Sequence, residues 1–217
     1  MRESEGRGNR YAALVQFYSD AGSDPVRRWV CILLCSDGQN PGYPETALQK
    51  DLQSIQTHLN QVRSDSTTAS QRLADNMMDY NPVAVDALIR LMLGGLPPGR
   101  DGGLLNARLR YFDPLRRRAG LPEDVAALVS EIGDSRTVVT LVNLNEKAPR
   151  SIVIQGGAYR EHRIESAQVN GETLSINSPS FTLKLAPGAG TKLTLNVKRY
   201  SEKPTEVFPE AVRTSVP

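Results

Sequence analysis

The sequence predicts an α+β protein: a mainly helical N-terminal region followed by a C-terminal antiparallel β-sandwich. Three observations carry this. From Arg136 to Tyr200, apolar and polar residues alternate in short runs separated by turn residues, as with Phe181, Leu183 and Leu185 against Thr182 and Lys184. Asn170-Gly171 lies between two such runs, the pairing that suits a type I′ hairpin turn because both residues tolerate φ > 0. Upstream, Leu48, Leu52, Ile55, Leu59 and Val62 follow the i, i+4, i+7 spacing of an amphipathic helix. Alternation leaves one face of a sheet apolar, and about six short strands hide that face best by packing two sheets together.

Taken in order, residues 1–10 are polar and expected to be disordered. Tyr11 to Tyr18 and Trp29 to Leu34 read as strands or buried segments around a polar turn. A helix is expected from Pro44, since proline fits the first helical position and Glu45 suits the positive end of the dipole. Its apolar residues form one stripe, which is expected to be buried. Asn81-Pro82 reads as the start of a second helix with Val85, Leu88, Ile89 and Met92 inward, ended by Gly94-Gly95. Leu104 to Phe112 alternates as a strand. Pro122 to Ile132 reads as a short helix burying Val125, Leu128, Val129 and Ile132.

Six strands then follow: Thr137 to Asn143, Arg150 to Gln155, His162 to Val169, Glu172 to Ile176, and those around Phe181–Leu185 and Leu193–Val197. The expected units are 1–134 (mainly helical, with a few strands), 135–200 (β-sandwich) and 201–217 (extended tail, from Lys203-Pro204 and Phe208-Pro209).

The 217 residues carry 26 basic and 24 acidic side chains, a net charge of +2, so no overall field draws the chain to nucleic acid or anionic lipid. The longest apolar run, Trp29 to Leu34, is far too short to span a bilayer. The first residues lack the apolar core of a secretory signal, and the native compartment stays open. Cys31 and Cys35 read as packed thiols, with a disulfide or metal role as the alternative. No cofactor fingerprint or serine-nucleophile elbow is present.

Two clusters stand out as candidate sites. Arg72, Asp75, Asn76, Asp79, Tyr80 and Asn81 form the densest polar group with an aromatic. Asp75 and Asp79 would share a face if helical, and a pair of carboxylates is what glycoside hydrolysis uses. Capping and turn chemistry ahead of Pro82 explains the same residues. Gln155, Tyr159, Arg160, Glu161 and His162 surround a strand end at Gly156-Gly157, where a loop aromatic with polar neighbours suits ligand binding, or packs as the base of a surface loop. Arg108, Arg110, Tyr111 and Arg116-Arg117-Arg118 read as a solvated or acid-paired face, with phosphate or nucleic-acid binding as the alternative.

Leu141 to Asn145, Val153 to Tyr159 and Leu185 to Gly188 resemble the C-terminal β-sandwich of large bacterial glycan-processing proteins, in which an α/α-toroid precedes the sandwich. Asn76 to Gly95, with Gly103 to Ala127, is similar to the last helices before that sandwich. The resemblance spans Tyr43 to Phe208 and is architectural. It implies a non-catalytic accessory module of a carbohydrate-active protein, a carbohydrate ligand, and an upstream helical domain not contained in this chain, since two long helices cannot close a toroid. The alternatives are a glycoside hydrolase or lyase fragment using Asp75 and Asp79, and a protein-interaction module.

Overall fold

The computed structural model describes residues 42–72, 81–95, 107–169 and 171–209. The proposed strands at Tyr11–Tyr18 and Trp29–Leu34, the two cysteines, and Leu104 to Asn106 lie outside them.

Helix α1 spans Tyr43–Ser64, with proline in its first turn, Glu45 at its start and Arg63 at its end. A short 3-10 helix (Ala69–Arg72) and helix α2 (Asp86–Leu93) follow. The strands are β1 (Leu109–Asp113), β2 (Arg118–Ala119), β3 (Val125–Ile132), β4 (Arg136–Asn143), β5 (Arg150–Gly156), β6 (Arg163–Val169), β7 (Glu172–Ser178), β8 (Ser180–Leu185) and β9 (Gly190–Lys198). They form two sheets, a four-stranded one ordered β2-β1-β5-β8 and a five-stranded one ordered β3-β4-β9-β6-β7, and every pairing is antiparallel. With few helices among the described residues, this is an α+β arrangement in which strands dominate.

Both sheets contribute to one apolar core. Leu109, Tyr111, Ile152, Ile154, Phe181 and Leu183 come from the first, and Val139, Leu141, Ile164, Ala167, Leu193 and Leu195 from the second. The alternation that marks β4, β5, β8 and β9 in the sequence is the alternation that fills this core. β6 departs from it: a bulge between Ile164 and Ser166 places Ile164 and Ala167 three apart on the same side.

The helix expected at 122–132 is strand β3. Its buried residues are Val125, Val129 and Ile132, an i, i+4, i+7 set that mimics helical spacing. The cause is a bulge between Val129 and Glu131, which shifts the alternation by one residue midway through the strand. The strands between 109 and 132 therefore belong to the two sheets: β1 pairs with β2 and β5, and β3 with β4.

The second helix begins at Asp86, not at Asn81-Pro82. The Asn81 side chain instead accepts the Val83 N–H in a local turn, and Asp51 of α1 supplies the acceptor for the Ala87 N–H, 3.0 Å away. Of the residues of this helix expected to face inward, Ile89 and Met92 pack partly buried against the core, whereas Leu88 and Val85 are exposed and Ala87, Arg90, Leu91 and Leu93 are the buried ones. Its end is as expected: Gly94 adopts φ 60 and donates to Arg90 O. Helix α1 is where the sequence places it, but none of its residues is fully buried. Of the C-terminal segment, 201–209 has no regular secondary structure, yet it is docked. Phe208 stacks edge-on against Phe112 at 5.4 Å, and the Thr205 N–H bonds Tyr159 O.

Candidate functional site

The two sequence clusters meet different fates. Asp75, Asn76, Asp79 and Tyr80 lie outside the described residues. Arg72 closes the 3-10 helix, where its Nε donates to Thr67 Oγ1 and its guanidinium pairs with Asp65. Gln155, Tyr159 and His162 are brought together by the connection from β5 to β6.

That connection is built on two glycines. Gly156 approaches His162 so closely that a side chain there would meet the His162 carbonyl oxygen at 2.7 Å. Gly157 adopts φ +83, and a Cβ on it would collide with the Glu161 carboxylate. The tight path lets Glu161 fold back over the loop. Its Oε1 accepts the Ala158 N–H at 3.2 Å and its Oε2 the Tyr159 N–H at 2.7 Å. From below, the buried Gln155 amide donates to the carbonyls of Gly157 and Ala158, and Arg110 donates to Ala158 O at 2.8 Å. Tyr159 is partly buried against the core.

His162 is buried at the edge of this knot. Its Nδ1 accepts the Tyr200 N–H at 3.1 Å, so the ring proton sits on Nε2, which faces Glu161 Oε1 at 4.0 Å. Burial pushes the His162 pKa down and the cations Arg199 and Arg108 push the same way, while Glu161 opposes them. The neutral imidazole is thus favoured. Tyr200 crosses the His162 ring edge-on at 4.8 Å, carries the Arg199 guanidinium 5.1 Å from its own ring centre, and is 69% exposed. Arg163 pairs with Glu202 at 2.5 Å, tying the tail to the same corner.

Sequence reasoning missed Tyr200, and it missed the clamping role of Glu161, a residue that belongs to the sequence cluster. Tyr200 stands 38 positions from His162, so no local signal joins them. Glu161 next to a Gly-Gly turn was the one visible hint. The basic run sits elsewhere: Arg116 bonds Glu123, Arg118 lies 3.6 Å from Asp113, and Arg117 stacks on Phe208. Among the described residues, no three His, Cys, Asp or Glu side chains are grouped to hold a metal, and no helix is long and apolar enough to cross a membrane.

No family model matches the chain, and no curated protein matches it. Two solved structures show a partial likeness. One, from Bacteroides fragilis, is provisionally assigned as an alpha-galactosidase, at 18% identity and a TM-score of 0.30, over 45% of this chain and 19% of that one. The other, from Bacillus halodurans, is provisionally assigned as an alpha-N-acetylgalactosaminidase, at 18% identity and a TM-score of 0.30, over 42% of this chain and 21% of that one. The matched part spans about a fifth of either structure. At this level the likeness carries no argument about activity.

Proposed function

We propose that this chain is a non-catalytic β-sandwich module of a carbohydrate-active protein, and that it contacts sugar at the corner formed by Tyr159, His162 and Tyr200. In this reading the two sheets face each other across their shared core. The observation that supports it is how the polar groups of the corner are used. Both Glu161 oxygens and His162 Nδ1 are taken up by backbone amides, and burial lowers the His162 pKa. These groups build a shelf rather than stand ready for proton transfer. On that shelf sits one exposed aromatic ring, held by His162, with Arg199 beside it. An amphipathic ring next to a hydrogen-bond donor suits a sugar, which offers an apolar C–H face and a polar rim.

The test is a broad glycan array, followed by titration of any ligand found. Tyr200→Ala is expected to remove binding while leaving the melting temperature close to that of the wild type. Absence of affinity for every glycan would sink the sugar contact, and full affinity in Tyr200→Ala would move it elsewhere. Hydrolysis of a glycoside that is lost in the Asp75→Asn, Asp79→Asn double variant would replace the module reading with the catalytic one.

A further inference from the structure

Helix α1 carries an apolar seam that no element among the described residues fully covers. Leu48, Leu52, Ile55, Leu59 and Val62 are spaced four, three, four and three apart, the seam of a two-helix coiled coil rather than of a helix lying on a broad core. The side of α1 that meets the α2 segment is a different one. There Asp51 accepts the Ala87 N–H, and His58 Nδ1 lies 2.6 Å from Asn81 O. Ala47 and Ser54 fall on this side by helical spacing, so the face turned to α2 is small and polar. At 3.6 residues per turn, the apolar seam lies about 90° round the helix from it. Leu48, Ile55 and Leu59 are half-buried at the rim, while Leu52 is 64% and Val62 48% exposed.

We propose that this seam is a homodimer interface, in which α1 pairs antiparallel with α1 of a second copy of this chain. The charges favour that occupant and that direction. The helix carries two acidic and two basic side chains, so two copies do not repel as wholes. Its acid at one end, Glu45, and its base at the other, Arg63, are complementary only when the helices run in opposite directions. A two-fold axis between Gln53 and Ser54 sets Leu52 against the partner's Ile55, Leu48 against the partner's Leu59, and Glu45 beside the partner's Arg63. Antiparallel packing also opposes the two helix dipoles. The surrounding positions Gln49, Gln53, Gln56 and Asn60 are uncharged and polar, as suits a rim.

Sedimentation velocity of the full chain over a wide concentration range tests this. The wild type is expected to pass from monomer to dimer. Leu52→Glu is expected to raise the dissociation constant at least ten-fold with an unchanged circular dichroism spectrum, because that side chain is solvent-exposed in the monomer. Glu45→Arg is expected to weaken the dimer, and adding Arg63→Glu to restore it. A wild type that stays monomeric throughout overturns the proposal, whatever other partner the seam accepts. A dimer indifferent to Leu52→Glu places the interface elsewhere. A dimer that the double charge exchange fails to restore rules out the antiparallel pairing.

Discussion

Truncating Glu161 to alanine removes the acceptor for two successive backbone amides at once. The Ala158 N–H sits in a buried residue and the Tyr159 N–H in a partly buried one, and the Glu161 side chain that covers them is 15% exposed. Water can therefore replace the carboxylate only in part. An N–H left without a partner costs about 1–3 kcal/mol, which gives about 2–4 kcal/mol for the pair after allowing for partial hydration of the second. For a chain of this length, each kcal/mol lowers the melting temperature by roughly 2–4 °C, so a fall of about 5–15 °C is expected. Glu161→Gln keeps one carbonyl oxygen but sets an NH2 group against the other amide, and should lose about half as much. Urea unfolding followed by circular dichroism measures both, provided the slope with denaturant is the same in all three proteins. A Glu161→Ala variant within about 0.5 kcal/mol of the wild type would refute the clamp. Equal losses in the two variants would show that charge, not the pair of acceptors, matters.

Two other predictions follow from buried polar groups. Tyr111 is almost wholly buried, burial pushes its phenol pKa up, and its hydroxyl donates to Met92 O in the last turn of α2 at 2.9 Å. Tyr111→Phe should cost about 1–2 kcal/mol by orphaning that carbonyl, and should speed amide exchange at the end of α2; an unchanged urea midpoint would disprove the tie. His162 has a pKa depressed in the folded state, so the unfolded chain binds the proton more readily. Stability should accordingly be fully present above the unfolded pKa of about 6.5 and fall as pH drops toward the folded value. His162→Gln should flatten that slope, and a stability that instead grows on acidification through this range would invert the assignment.

The strands from β4 to β9 were legible because each is short, most alternate, and most stop at or just before a glycine, asparagine or proline, as β4 does at Asn143, β5 at Gly156 and β7 before Pro179. Alternation is a local property, and tertiary packing had only to confirm which face is buried. The start of α1 and the glycine end of α2 were legible for the same reason, since caps and dipoles act within one turn. β3 was not, because one bulge converts a period of two into a spacing that a helix shares, and only the pairing with β4 tells them apart. The start of α2 was misplaced because its acceptor comes from Asp51, 36 positions earlier.

The candidate site divides in the same way. A Gly-Gly turn with Gln155, Tyr159 and His162 around it could be seen in the chain, because the backbone demand for glycine is local. The joining of His162 to Tyr200, and of the loop to Arg110 and the tail, could not, because those contacts link residues 38, 48 and 46 positions apart. Thus the sequence alone determined that the segments from β4 onward are strands, where most turns fall and that α1 has an apolar stripe. Only the tertiary structure decided which of those faces the chain itself covers. Periodicity states that a face is apolar, whereas burial depends on what the rest of the fold brings against it.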